Sequence, residues 1–266
     1  MKTRLDVYLV EKGYFTTRNK ARLSIENNDI MANGIIISKP SYLVDENCNI
    51  TIVKDSIPYV SRGGLKLEHA LERFQVDVNK SICLDIGAST GGFTHCLLKK
   101  GAEKIYALDV GTAQLDKTLK DNPNIVSIEN TNFRTINVDD YTSLNINIIT
   151  ADVSFISLTY LFENVSKILN KNGLFIALIK PQFEVDKKEH NKNGLVNDKK
   201  IHFKVIKKIM DEASKYNLYL NQLTHSPIKG EKSGNIEYLT LISFNQKNIN
   251  LTDVSAIIDL AFKDLR

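Results

Sequence analysis

The sequence predicts an α/β protein, a mostly parallel, doubly wound sheet preceded by a small α+β domain. Three observations predict it. Strand-like apolar runs alternate with helical periodicity from residue 81 to residue 263, the pattern of a parallel sheet covered on both faces. The first run, residues 82–86, enters a glycine-rich turn (Gly87, Gly91, Gly92) that opens a helix. The first 57 residues lack this alternation and carry two short helical patterns followed by a hairpin signal.

In chain order, Leu5, Leu9 and Val10 have helical spacing and Gly13 ends the helix. Thr16 and Thr17 cap a second helix over 18–27. Asn27-Asn28-Asp29 reads as a tight turn and 30–32 as a strand. Asn33-Gly34 reads as a type I′ hairpin turn, with a return strand over 35–38 and a further strand over 49–53. Arg18 and Arg22 share a face of the second helix, with Lys20 to one side; a solvated face is the ordinary reading of such charges. Pro58-Tyr59-Val60 breaks the pattern, so 1–57 is one domain, 58–64 a linker and 65–266 the other domain.

A helix is expected over 66–74. Strands follow at 81–86, 104–109, 124–128, 146–151, 173–179, 217–225 and 236–244. Helices fill 91–99, 113–120, 157–170, 198–216 and 252–263. The last two strands read as an antiparallel, hairpin-like addition at one edge. Residues 184–197 are polar and poorly periodic, and read as a mobile loop that could serve as a substrate lid.

The composition limits the function classes. A chain of 266 residues, 42% hydrophobic and 25% charged, suits one large domain or two unequal ones. A net charge of +4 is compatible with a nucleic-acid partner, but from charge alone an ordinary basic soluble enzyme is the better reading. Cys48, Cys83 and Cys96 are too scattered for a metal pair or a secreted disulfide framework, so a cytoplasmic protein with reduced thiols is expected, with no metal. No signal-peptide pattern opens the chain, and no apolar stretch approaches the roughly 18–20 residues that span a bilayer, so stable membrane insertion is not expected.

The glycine-rich turn carries the ligand argument. Asp85 lies two residues before Gly87, at the carboxyl end of its strand. A carboxylate there repels a pyrophosphate and suits a ligand with its own positive charge, such as an amino-acid ammonium. That favours S-adenosylmethionine over NAD or ATP. The third position of a dinucleotide fingerprint is Ser89 rather than glycine, and no P-loop lysine follows. Gly87-Ala88-Ser89-Thr90-Gly91 does match a nucleophile elbow, so an esterase using Ser89 with His202 or His225 stays open on pattern alone.

The cofactor should lie across the carboxyl ends of the first strands. Asp85 meets the ammonium; Gly87, Ala88, Ser89 and Gly91 approach the methionine and ribose, and Gly92 and Phe93 open the helix beneath. Asp109 ends the second strand, where an acid takes ribose hydroxyls, although a strand-end capping acid reads similarly. Asn132 reaches the adenine amino group, with Asn130 as the alternative. Four further charges sit at strand ends or loop starts. Asp152 ends the fourth strand, Lys180 ends the fifth, Glu237 begins the antiparallel last strand at the same edge, and Lys66 begins the helix before the first strand. Asp152 and Lys180 border apolar runs, so solvation alone explains them poorly; Lys66 and Glu237 taken singly read well as solvated charges.

Two resemblances follow. Arg4-Leu5-Asp6, Thr17-Arg18-x-x-Ala21 and Ile30-x-x-Asn33-Gly34 resemble the S-four RNA-binding domain, with Thr17 where serine is usual and Asn28 where glycine is common. This implies phosphate contacts from Arg4, Arg18, Lys20 and Arg22, joined by Arg62 in the linker. Lys66, Asp152, Lys180 and Glu237 match the Lys-Asp-Lys-Glu tetrad of FtsJ-type ribose 2′-O-methyltransferases. With Ser-Arg-Gly-Gly-x-Lys-Leu, Asp-Val-Ser-Phe-Ile-Ser, Leu-Ile-Lys-Pro-Gln-Phe-Glu and Gly-Asn-Ile-Glu-Tyr, the chain resembles the TlyA family.

The resemblance implies a Rossmann-like, S-adenosylmethionine-dependent methyltransferase sheet that methylates cytidine 2′-hydroxyls in ribosomal RNA or assembled ribosomal subunits. Lys180 is the candidate base, with Lys66 lowering its proton affinity and Asp152 and Glu237 raising it; the alternative is that Lys180 mainly positions the hydroxyl and the carboxylates orient the amines. Asp152 also borders the cofactor. Members of the family are also labelled hemolysins. A membrane-active hemolysin and a catalytically inert RNA-binding protein are therefore the alternatives.

Overall fold

A computed structural model describes residues 2–26, 29–52, 57–192, 194–230 and 234–265. The turn expected at Asn27-Asn28, the strand end at Val53 and Asn193 of the expected lid lie outside these residues. The chain divides into two compact units, Met1–Ser61 and Arg62–Arg266.

In the first unit, β1 (Thr3–Arg4) runs directly into α1 (Leu5–Glu11), and α2 (Arg18–Glu26) follows. Then come β2 (Ile30–Ala32), β3 (Ile35–Ile36), β4 (Leu43–Val44) and β5 (Ile50–Ile52). β2 is central in an antiparallel β3-β2-β5 sheet, and β1 pairs with β4. Asn33 and Gly34 have φ of 51° and 80°, the left-handed pair that a type I′ turn requires. Leu5, Leu9, Ala21, Ile25 and Ile30 form a fully buried core. The β1–β4 pair was not predicted, because two residues are too few to show a period.

The second unit begins with α3 (Gly63–Phe74), whose first turn closes from Leu65 N to Arg62 O at 3.1 Å. The helix therefore starts at Gly63 rather than Lys66. After it come β6 (Ile82–Ile86), α4 (Gly92–Lys99), β7 (Lys104–Leu108), α5 (Lys117–Lys120), β8 (Ile125–Ile128), α6 (Asp139–Thr142) and β9 (Ile148–Ala151). The chain continues through α7 (Phe162–Ile168), β10 (Leu174–Ile179), α8 (Pro181–Glu184), α9 (Lys199–Ser214), β11 (Tyr219–His225), β12 (Tyr238–Ser243) and α10 (Leu251–Asp264).

The seven-stranded sheet has the order β11-β12-β10-β9-β6-β7-β8. β12 inserts between β10 and β11 and runs antiparallel to both, so the hairpin-like pair forms one side of the sheet. β9 is buried along its whole length and β10 beyond its first residue, as expected of strands covered on both faces.

This order positions the site. β6 has β7 on one side and β9 on the other, so the chain leaves β6 in opposite directions. Such a switch point opens a crevice beyond the carboxyl ends of the two diverging strands, here β6 and β9.

Three expected elements differ. α5 starts at Lys117 rather than 113, because Ala113 takes a φ of 52° and Asp116 caps the helix through Thr118 N at 3.0 Å. The helix expected over 157–170 begins as a 3-10 turn, Leu158–Leu161, and ends at Ile168, where Leu169 becomes extended. Described residues of the segment expected to be a mobile lid are tied to their neighbours. His190 Nε2 bonds Gln182 O at 3.1 Å, and the buried Val196 donates its N–H to Asn235 Oδ1 at 2.9 Å.

Candidate active site

The turn after β6 is pinned to its neighbours by backbone. Gly87 N and Ala88 N both donate to Leu108 O, at 2.8 and 3.1 Å. Gly87 has a φ of 78°, and a Cβ there would meet the Asp152 carbonyl oxygen at 3.1 Å. A side chain at residue 87 would crowd the end of β9 and strain the turn's left-handed backbone. Ser89 holds a left-handed φ of 49°, stabilised by its N–H donating to Asp109 Oδ2 at 2.7 Å. Asp109 Oδ1 accepts Gly111 N, also at 2.7 Å. Asp109 therefore clips the β6 turn to the loop after β7, and each of its oxygens keeps a further lone pair for a ligand.

Asp85 requires a correction. It was expected to face a ligand ammonium, but it has no exposed surface. Oδ2 accepts from Thr94 Oγ1 on α4 at 2.6 Å, and Oδ1 accepts from Thr150 Oγ1 on β9 at 2.8 Å. Burial pushes its carboxyl up to about 6, against the two threonine hydrogen bonds, with Asp152 adding to the rise. Its geometry is that of a bolt joining β6, α4 and β9 beneath the turn. Ala88, Gly92 and Phe93 are buried as well and support the turn from below.

Asn132 is exposed, but its Oδ1 caps the 3-10 turn Phe133–Thr135 through Arg134 N at 3.1 Å. A contact from that oxygen to an adenine amino group therefore competes with the cap. Asn130 Oδ1 accepts from Thr112 Oγ1 at 2.6 Å.

The four charged residues form two ion pairs. Lys66 Nζ, on the first turns of α3, lies 2.6 Å from Glu237 Oε2, and both side chains are buried. Gln182 Nε2 donates to the other Glu237 oxygen at 3.3 Å. Lys180 Nζ lies 2.6 Å from Asp152 Oδ1 and 2.9 Å from Ser154 Oγ. Asp152 Oδ1 nonetheless lacks hydrogen-bond geometry, so that contact is a coulombic pair. The two pairs meet through the sheet: Ile179 and Tyr238 are partners, Lys180 follows the first and Glu237 precedes the second.

Sequence reasoning missed Phe155. It is 85% exposed with a φ of 65°, three residues past Asp152. Its ring packs on Phe183 at 5.0 Å between centroids, and Lys180 Nζ lies 5.8 Å from the Phe183 ring. An exposed aromatic in a strained backbone conformation beside the paired charges is a ready stacking surface. The available signal was an aromatic residue in the loop directly after a strand-ending aspartate.

Ser89 finds no base in either expected histidine. His202 is fully buried, with its ring nitrogens bonded to Tyr238 Oη at 2.7 Å and Val196 O at 2.8 Å, and desolvation lowers its proton affinity. His225 ends β11, four strands from β6, or roughly 19 Å at the usual strand spacing.

In the first unit, Arg4 and Arg18 converge on Asp6. Lys20 and Arg22 do not join them; Arg22 pairs with Glu26 at 3.7 Å. In the second unit, Arg62 is half-buried at the N-cap of α3.

Residues 59–244 match the FtsJ-like methyltransferase family, and residues 3–48 match the S4 domain. The chain belongs to the FtsJ-like methyltransferase family. It is 42% identical over 236 residues to Hemolysin A of Brachyspira hyodysenteriae, covering 89% of this chain and 98% of that protein. It is 34% identical over 238 residues to the 16S/23S rRNA (cytidine-2′-O)-methyltransferase TlyA of Mycobacterium tuberculosis, covering 89% and 88%. A solved structure of a hemolysin-named protein from Streptococcus thermophilus superposes with a TM-score of 0.78 at 37% identity, covering 99% of this chain and 96% of that one.

For an FtsJ-like methyltransferase, S-adenosylmethionine is the methyl donor. The residues at the switch point suit it: the tight turn at Gly87, the Asp109 carboxylate bonded to that turn, and Asp152 directly after β9. Among the described residues, no helix is long and apolar enough to cross a membrane.

Proposed function

We propose that this methyltransferase acts on the 2′-hydroxyl of cytidine in ribosomal RNA, presented within ribosomal subunits in the cytoplasm. The observation that carries the reading is the pair of ion pairs, Lys66–Glu237 and Lys180–Asp152, at the edge of the sheet where the crevice opens. The amino-terminal S4 domain and the activity named for the Mycobacterium tuberculosis relative support the choice of substrate.

S-adenosylmethionine, when bound, supplies an electrophilic methyl group on a sulfonium that leaves as a neutral thioether. Backbone at Gly87, Ser89 and Gly91 would line its cradle, Asp109 would take ribose hydroxyls through its remaining lone pairs, and Asp152 would stand toward the ammonium. Asp85 acts indirectly, by fixing the ends of the turn.

A ribose hydroxyl is a weak nucleophile, so its proton must leave as the oxygen attacks. Lys180 Nζ is the atom that takes it. Asp152 and Ser154 fix that nitrogen in place. The Lys66–Glu237 pair is buried beside it and sets the local field. Holding the hydroxyl in a fixed place relative to the methyl donor would supply much of the remaining rate. Phe155 offers a surface on which the target base can stack once it leaves the helix.

The test is transfer of a labelled methyl group to 30S and 50S subunits purified from cells lacking this protein. Label recovered in 2′-O-methylcytidine supports the reading. Label on a base, or on protein only, contradicts it.

A further inference from the structure

Asp6 is the second residue of α1, has no exposed surface and sits beside the core residues Leu5 and Leu9. A carboxylate buried in such a place needs compensating charge. Two arginines provide it. Arg4 Nε donates to Oδ1 at 3.0 Å and Arg4 Nη2 to Oδ2 at 3.3 Å, while Arg18 Nη2 donates to Oδ2 at 2.8 Å. The arginine side chains remain about half exposed, 49% for Arg4 and 58% for Arg18. The carboxylate thus lies inside with the two guanidiniums toward solvent. Burial pushes the Asp6 carboxyl up, but the bonds from Arg4 and Arg18 outweigh it and hold it below its ordinary value.

Each guanidinium has five N–H donors in a fixed plane. Arg4 commits Nε and Nη2 to Asp6, and Arg18 commits Nη2. Neither Nη1 group donates to a described residue. The two-point grip on Arg4 fixes the plane of its guanidinium as well as its position.

We propose that Asp6 is a positioning residue for RNA binding: it holds Arg4 and Arg18 as a preset pair whose outward N–H groups grip a phosphate of the RNA backbone. This rests on the reading of the first unit as an RNA-binding domain. The proposal reverses the sign that charge alone gives. Neutralising an acidic residue beside a phosphate site should tighten binding through simple electrostatics. Here it releases two long side chains that must then be ordered on binding, which weakens binding.

The test uses the full-length protein and purified 30S and 50S subunits, with Kd and thermal melting measured for each variant. Asp6→Asn is expected to bind at least about five-fold more weakly while its first unit stays folded. Arg4→Lys and Arg18→Lys keep the charge but lose the planar fork, and are expected to weaken binding similarly. Unchanged or tighter binding by a folded Asp6→Asn protein overturns the proposal. If Asp6→Asn unfolds the first unit, the lysine variants decide, and wild-type binding by both overturns it. The double variant Arg4→Ala/Arg18→Ala separates the two readings. Retained binding there contradicts RNA recognition by this face, and with it the proposal. Binding lost there but kept in Asp6→Asn contradicts the positioning role alone.

Discussion

Lys180 Nζ stands 2.6 Å from Asp152 Oδ1, at the ends of two adjacent parallel strands, with Ser154 Oγ completing its seat at 2.9 Å. If Lys180 takes the hydroxyl proton, Lys180→Ala lowers kcat by about 10²- to 10⁴-fold. Lys180→Arg, which keeps the charge but cannot act as a base, falls as far. S-adenosylmethionine binding by calorimetry stays near wild type in both. High activity in Lys180→Arg would show that the charge only orients the hydroxyl.

Lys66 and Glu237 are a buried pair, so each leaves the other uncompensated when removed. Glu237→Ala is expected to destabilise the second unit by about 3–5 kcal/mol. The double variant Lys66→Met/Glu237→Leu regains most of that stability in urea unfolding but not methyl transfer. Recovery of activity along with stability would reduce the pair to a structural element.

Asp85 makes the stability of the second unit depend on pH. Its carboxyl is raised to about 6 by burial, above its value of 3.8 in an unfolded chain. The native state therefore holds the proton more tightly, and ionising the group above pH 6 costs about 3 kcal/mol. Acidification from pH 7 to pH 5 removes much of that cost, whereas Asp85→Asn carries no such titration. Urea unfolding at both pH values is expected to show wild type gaining on Asp85→Asn as pH falls. A constant gap between them would mean that Asp85 titrates normally.

Phe155 is almost wholly exposed, so removing it leaves stability nearly unchanged. Phe155→Gly relieves the left-handed backbone and is expected to be neutral or slightly stabilising. Both Phe155→Ala and Phe155→Gly are expected to lower kcat/KM on ribosomal subunits by about 10- to 100-fold, the loss of one base–aromatic stack, while Phe155→Tyr keeps most of the activity. Equal activity in all three variants would remove stacking from the account.

Much of the second unit was legible in the sequence, because its strands are apolar runs separated by helices and its glycines are spaced as a tight turn demands. Four charges at strand ends and at a helix start were legible, and the structure joins them as two ion pairs. Which charge pairs with which was not legible, since that depends on α3 packing against β12, which brings Lys66 to Glu237, and on β10 lying beside β9, which brings Lys180 to Asp152. Asp85 shows the limit most clearly. Its place at a strand end suggested a ligand contact, but Thr94 and Thr150 lie 9 and 65 residues away in the chain, and only the fold brings their hydroxyls onto it. Asp6 was visible as part of a motif, but its burial beneath two arginines was not. Phe155 was overlooked because a lone aromatic in a loop has no periodicity, and its exposure and φ exist only in three dimensions.

The most direct test is a map of 2′-O-methyl groups across 16S and 23S rRNA from cells with the wild-type protein, with Lys180→Ala at equal abundance, and without the protein. At least one cytidine is expected to be methylated in the first and unmethylated in the other two. Identical maps in all three would contradict it.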